Sequence, residues 1–433
     1  MQASPSLRLA DPEAAVLPRA PRTLDETGLG QSLVLELLVK TLFMYGELRL
    51  AELVRAIALQ PGVLLPLLGL MRSERLCQIT RRGDTDGRTS YCLTETGRER
   101  AAEFLRRSQY VGVAPVSLTQ YVRQVESQSV VRMGVTRERL QRAFDGVVVR
   151  TGLLERLGAA MNSHRPIFIY GPSGSGKTYL AERLAGLLSG AVAVPRAVAV
   201  DGEIVQVFDP LVHHAMPAAA RGEGLERGSD DDARWVACRR PVVMSGAELT
   251  LDMVDLEFDR QTRFYHAPQQ LKANNGLFII DDLGRQLVSA QALMNRWIVP
   301  LDRRTDFLTL HTGQKFEVPF DVIVVFSSNL RPNELADEAF MRRLGYKIFV
   351  GPADAEEYRA ILQQVCRELR MPYDEDGFDH LRARYAAAGR PLLACHPRDL
   401  LSQVRDHALL AGAAPRMTPE QLDWAWDNYF ARD

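Results

Sequence analysis

The run Gly171-Pro172-Ser173-Gly174-Ser175-Gly176-Lys177-Thr178 constrains this 433-residue chain more than any other stretch. It satisfies G-x-x-x-x-G-K-[ST] in full, and its flanks are the ones that pattern requires. Upstream, Pro166-Ile167-Phe168-Ile169-Tyr170 reads as a buried strand; downstream, Tyr179 to Leu188 has helical spacing. A strand, a glycine loop and a helix N-terminus aim several backbone N–H groups and a positive dipole end at one point, which makes an anion cradle. Lys177 is then placed for β and γ phosphates and the Thr178 hydroxyl for Mg²⁺. The bland alternative is a chance glycine loop. Lysine occurs only at Lys40, Lys177, Lys272, Lys315 and Lys347, so an accidental match in this context is the weaker reading.

Composition narrows the class. Apolar content of 46% and charged content of 25% are ordinary for a folded chain of two or three domains. A net charge of −1 argues against a broadly basic nucleic-acid binder. The cysteines are Cys77, Cys92, Cys238, Cys366 and Cys395, an odd set without C-x-x-C, which predicts a reduced, cytoplasmic protein. No apolar run approaches ~18 residues, so no membrane helix is expected. Ala14-Ala15-Val16-Leu17 is too short for the core of a signal peptide.

Along the chain, residues 1–27 carry four prolines and little periodicity, which predicts a disordered arm. Residues 28–108 predict helices at about 31–44, 48–59 and 61–74. Strand-like 76–80 and 89–93 follow, around the polar tip 83–87, and then a further helix. This order resembles the winged-helix fold. The third helix, however, offers an almost continuous apolar surface from Val63 to Met71, where a base-reading helix needs Arg, Lys, Asn or Gln. A protein-binding role is therefore weighed above DNA binding, and Arg81, Arg82 and Arg88 are as readily a solvated face. Residues 109–139 read as a linker, with a helix over 137–149 leading into an α/β core at 140–351. A polar, glycine-rich insert at about 210–234 reads as flexible; His213-His214 and Asp230-Asp231-Asp232 lack metal-ligand spacing. Helices at about 354–370, 376–388, 397–411 and 418–431 form a C-terminal segment, 352–433.

The second half of the phosphate site follows the same logic. Gly276-Leu277-Phe278-Ile279-Ile280-Asp281-Asp282 is an apolar strand ending in two acids. Asp281 at that strand end can hold Mg²⁺, and Asp282 can orient an attacking water. The competing reading is a helix-capping Asp. Val322 to Ser328 is another buried strand, and it delivers Asn329 toward the γ-phosphate. Residues 307–318 read as a hairpin.

Over about residues 140–433 this order resembles the AAA+ ATPase family. The resemblance implies a P-loop parallel-sheet core with an α-helical lid, and hydrolysis of ATP with Mg²⁺. It makes Asn329 sensor 1 and Arg398, in His396-Pro397-Arg398, a sensor 2 arginine. Asp337 to Leu344 resembles the box ending in an arginine finger, with Arg343 preferred and Arg342 second; an arginine pair at a helix C-terminus is the alternative. A finger acts in trans, so self-association into a ring or ATP-dependent oligomer is implied. Many members have Asp-Glu where this chain has Asp281-Asp282. The shorter side chain requires a closer water or a shifted backbone. The phrase Ile279 to Gly284 resembles the helicase-loader branch, whereas the hairpin and the segment 201–265 resemble MoxR-type remodelling branches. Phe264-Tyr265 is either a pore loop or a core pair. The expected function is ATP-driven remodelling or assembly of a protein partner. A DNA-associated loader or regulator, and a slow ATP-dependent switch, are the alternatives.

Overall fold

The structure is a computed structural model that describes residues 17–82, 86–216, 230–335 and 338–430. It is a mixed α/β fold whose chain divides into two compact units. One unit gathers residues 1–134, 188–278 and 295–323; the other gathers 135–187, 279–294 and 324–433. This differs from the expected boundaries, because much of the 140–351 stretch belongs with the N-terminal residues. The reason is pairing between segments far apart in sequence.

In the first unit, helix Gln31–Tyr45 is buried through its middle, including Glu36 and Lys40. Their i,i+4 ion pair at 2.9 Å, with Ser108 O also accepting from Lys40 Nζ, satisfies an ammonium that burial would otherwise penalise. Helices Leu50–Ile57 and Pro61–Ser73 follow, then strands Cys77–Arg81 and Ser90–Leu93 and helix Glu95–Arg107, capped by Thr94. Strand Ser90–Leu93 lies between Leu48–Arg49 and Cys77–Arg81. The apolar surface expected on the third helix is mostly core: Val63, Leu64, Leu67, Leu68 and Met71 are all buried. Their 3- and 4-residue spacing places them on one inward face. Of the expected polar tip 83–87, residues 83–85 lie outside the described residues, and Asp86–Arg88 form a 3₁₀ turn.

The expected linker is an integral part of this unit. Val116–Ser117 pairs in parallel with Ala197–Val200, and helix Leu118–Ser127 buries Tyr121 and Val125. Ser117 and Gln120 form a capping box that starts this helix. Ala197–Val200 continues a five-stranded sheet through Glu203–Gln206, Phe264–His266 and Glu257–Asp259. The unit also holds two antiparallel strand pairs, Ala191–Pro195 with Trp235–Arg239 and the hairpin Thr305–Thr309 with Lys315–Pro319.

The arm and the insert are also corrected where the structure describes them. Residues 1–16 and 217–229 lie outside the described residues. Residues 24–27 are helical, and the backbones of Arg19 and Asp231 pair in an isolated antiparallel β-bridge. Asp232 and Arg234 are buried as an ion pair at 2.8 Å, with Pro115 O accepting from Arg234. These charges are paired and hydrogen-bonded, so they form a structural tie in place of a flexible loop end.

In the second unit, strand Ile167–Tyr170 lies between Val322–Ser328 and Tyr346–Phe349, parallel to both. Strand Gly276–Ile280 neighbours Val322–Ser328 on its other side, and both of these strands start in the first unit and end in the second. The expected helix over 137–149 stops at Ala143, and Gly146 turns the chain with φ 70°. Val147 to Arg150 therefore run free of helix before helix Thr151–Ser163. Four C-terminal helices, Ala355–Glu368, Glu375–Ala387, His396–Leu410 and Pro419–Tyr429, pack around Tyr358, Leu362, Phe378, Leu400 and Trp426. Asp354 with Glu357, and Thr418, cap the first and last of them.

Among the described residues no single helix is long and apolar enough to cross a membrane. The five cysteines are unpaired thiols.

Candidate nucleotide site

Strand Ile167–Tyr170 ends in the glycine loop, and helix Lys177–Leu184 begins directly after Gly176. The loop is pinned at both ends. Gly171 N donates to Ser328 O at 3.3 Å, and Cys395 N donates to Gly174 O at 3.1 Å. Glycine is required at both positions. A Cβ at Gly171, φ 153°, would lie 2.0 Å from Val350 O; one at Gly174, φ 79°, would lie 2.5 Å from Cys395 Sγ.

Lys177 is buried, with Nζ donating to Pro172 O at 2.9 Å and to Asn329 Oδ1 at 2.8 Å. Burial holds its ammonium below the usual lysine range, and the carboxylates of Asp282 and Asp281 oppose that shift. Asn329 Nδ2 in turn donates to Asp282 Oδ1 at 2.9 Å. Thr178 Oγ1 donates to the Asp281 carboxylate, 3.0 and 2.9 Å from its two oxygens. The residues that follow the glycine loop, strand Gly276–Ile280 and strand Val322–Ser328 are thus brought together in two adjacent hydrogen-bonded chains, Lys177–Asn329–Asp282 and Thr178–Asp281.

Lys177, Thr178, Asp282 and Asn329 border a cavity of about 480 Å³, and Asp281 lies behind Thr178 without lining it. Ser173 to Leu180, Asp282 and Asn329 form its polar side. Val147, Val148, Ile361 and Val365 give an apolar side suited to a base. Tyr179 and Arg398 also line it. Tyr179 is exposed at the helix start, where its hydroxyl accepts from Arg183. Arg398 is in an ion pair with Glu368, whose carboxyl is drawn below its ordinary range by a hydrogen bond from Gln364 and, after it, by Arg398. The Ser175 hydroxyl is buried and without a hydrogen-bond partner.

These observations test the fit of a nucleotide with Mg²⁺. A cradle that two Cβ atoms would fill, an orphaned hydroxyl and a buried ammonium suit phosphate. One threonine hydroxyl beside one carboxylate suits Mg²⁺, which binds few protein groups and completes its shell with phosphate and water. Among the described residues no group of three or more His, Cys, Asp and Glu is placed to hold a metal by itself. His213 is structural: its ring accepts from Asp209 N and contacts Lys272 O at 2.9 Å.

Other expected residues lie elsewhere. Arg342 pairs with Glu338 at 2.9 Å and is exposed, and Arg343 N donates to Phe340 O. Neither arginine lines the cavity; Asp337 lies outside the described residues. Tyr265 is buried with its ring against Phe258 and its hydroxyl bonded to His311, as a core aromatic. Sequence reasoning missed Val147 to Val149, a β-branched run after Gly146, and Gln286, which carried no motif.

A family model described as a domain of unknown function (DUF8689) matches residues 354–428, the span of the four C-terminal helices. No curated protein matches the chain. Among solved structures, NtrX from Brucella abortus in complex with ADP is similar at 14% identity and a TM-score of 0.42. That match covers 78% of this chain and 68% of that one. The Thermotoga maritima RuvB Holliday junction branch migration motor is similar at 13% identity and a TM-score of 0.36, over 68% of this chain and 70% of that one. At such identities and scores these likenesses carry no argument about chemistry, which is read from the geometry of the site alone.

Proposed function

We propose that this chain is an AAA+ type ATPase that hydrolyses ATP to ADP and phosphate with Mg²⁺. The observation that carries this is the continuous chain Lys177–Asn329–Asp282 beside Thr178–Asp281, on one cavity with apolar and phosphate-binding sides. Lys177 exchanges its bonds to Pro172 O and Asn329 for phosphate oxygens. Thr178 and Asp281 would hold Mg²⁺, which when bound neutralises phosphate charge. Asp282 orients the attacking water, and Asn329, released from Lys177, faces the γ-phosphate. Arg398 leaves Glu368 for the phosphates, so loss of the γ-phosphate returns it and shifts the helix that carries it.

Arg343, or Arg342, is read as a finger for the site of a second copy in a ring or ATP-dependent oligomer. The work is remodelling or assembly of a protein partner recruited through residues 28–108, read as winged-helix-like, in the cytoplasm. Steady-state phosphate release tests the reading. Turnover that needs Mg²⁺ and falls at least ~100-fold in Asp282→Asn, with ATP still bound, supports it. Equal turnover in wild type and Asp282→Asn, or none in wild type, refutes it.

A further inference from the structure

The turn after strand Gly276–Ile280 is built more tightly than a motif of two acids requires. Asp282 has φ 50°, in the left-handed region, where a side chain other than glycine's is disfavoured. Leu283 N donates to Ser327 O at 2.7 Å, and Ser328 Oγ donates to Leu283 O at 2.6 Å, so the residue after Asp282 is fixed to the neighbouring strand. Four residues on, the half-buried Gln286 closes the turn from the other side. Its Nε2 donates to Asp281 O at 2.8 Å and to Asp282 O at 3.2 Å, while its Oε1 accepts from Gly284 N at 2.8 Å. One amide thus engages the carbonyls of both acids and the backbone beyond them.

An aspartate at this position is one methylene shorter than a glutamate. With the backbone left-handed at Asp282, its Oδ1 lies 2.9 Å from Asn329 Nδ2. We infer that Gln286 is a positioning residue for hydrolysis: its amide holds the Asp281–Asp282 backbone in the turn that aims the Asp282 carboxylate. This rests on the reading of Asp282 as the group that orients water. Gln286 itself does not border the cavity, so its effect runs through the turn. A small misplacement of a water-orienting group lowers the chemical step without changing how nucleotide binds.

The test uses the full chain with Mg²⁺ and ATP, as wild type, Gln286→Ala, Gln286→Glu and Asp282→Asn. Phosphate release gives kcat and KM, a fluorescent ADP analogue gives affinity, and melting reports folding. Gln286→Glu keeps the acceptor for Gly284 N and loses the donor to both carbonyls. Both Gln286 variants are expected to lower kcat on the order of 10-fold, with KM and ADP affinity within about twofold of wild type. An unchanged kcat in Gln286→Glu, or a KM that changes as much as kcat, overturns the positioning role. Turnover lost in Asp282→Asn but kept in both Gln286 variants overturns that role alone. Equal turnover in wild type and Asp282→Asn overturns the underlying reading of the site.

Discussion

Removing the Asp321 carboxylate should loosen the first unit where strands Gly276–Ile280 and Val322–Ser328 begin. Asp321 is buried, and its two oxygens accept from Ser129 Oγ at 2.7 Å, Val130 N at 2.8 Å and Asn275 Nδ2 at 2.7 Å. Arg304 lies 3.5 Å away. In Asp321→Ala, Asn275 Nδ2 keeps Val125 O, but the buried Val130 N–H loses its acceptor. An orphaned buried donor costs about 1–3 kcal/mol, and breaking a buried ion pair about 3–5 kcal/mol. Arg304 is partly exposed, so the pair term is discounted, and a total of about 3–4 kcal/mol is expected. Asp321→Asn keeps one acceptor oxygen but turns an NH₂ toward a donor, and should cost about 1–3 kcal/mol. A chain of two units need not unfold in one step, so global melting is the wrong readout. Amide hydrogen exchange across residues 118–132 reports the local effect. Protection falling by more than about 100-fold in Asp321→Ala, and less in Asp321→Asn, is the expected order. Protection unchanged in both would refute the account of this network.

The nucleotide site and its surroundings give further expected outcomes. Lys177→Met should weaken ATP binding by ~100-fold or more, since two charge-assisted bonds at about 1.5–3 kcal/mol each are lost; a change under tenfold by titration with a fluorescent analogue would contradict the phosphate role. Gly174→Ala puts a methyl against Cys395 Sγ at a left-handed residue costing about 1–2 kcal/mol, so nucleotide affinity should fall on the order of 10-fold, and an affinity within twofold would count against the close approach. Burial lowers the pKa of His213 below its ordinary 6.5, with its contacts to Lys272 O and Asp209 opposing. Above pH 6.5 the ring is neutral in both states, and below it the unfolded chain takes the proton first, so stability is lost as pH falls, by at most about 1.4 kcal/mol per pH unit. His213→Gln should flatten that slope between pH 7.5 and about 5.5, read as amide-exchange protection at residues 209–214 corrected for intrinsic exchange rates; an unchanged slope would show that other groups carry it.

What could be read from the sequence was what is local. Gly171 to Thr178 sit between a strand and a helix that announce themselves within about 20 residues, and Asp281 and Asn329 each end an apolar run. The hydrogen-bonded chains joining them follow from those strand ends. Residues 188–200 gave no such sign, because Ala197–Val200 meets Val116–Ser117 across some eighty residues of chain. Pairing over that distance leaves no periodicity in either segment. The capping box of Ser117 and Gln120 was present in the letters, and it marks the start of the helix mistaken for linker. The apolar run Val63 to Met71 was correctly apolar, but its burial depends on the helices packed around it. Gln286 had no signal at all: its role comes from a backbone turn, and a glutamine a few residues after two acids looks like any polar surface residue.

The scarcity of amines has a practical consequence once Lys177 is seen to be a buried ammonium weakened by its surroundings. Lys40 is fully enclosed, which leaves Lys272, Lys315 and Lys347 as the other lysine amines among the described residues. An acylating reagent at mildly alkaline pH therefore meets very few nucleophiles on lysine. Of these, the one in the phosphate cradle has an ammonium whose pKa burial lowers, and it is the one that nucleotide would cover. Protection of a single peptide by ATP would turn covalent modification into a footprint of occupancy, legible in a mass spectrum without any partner being known.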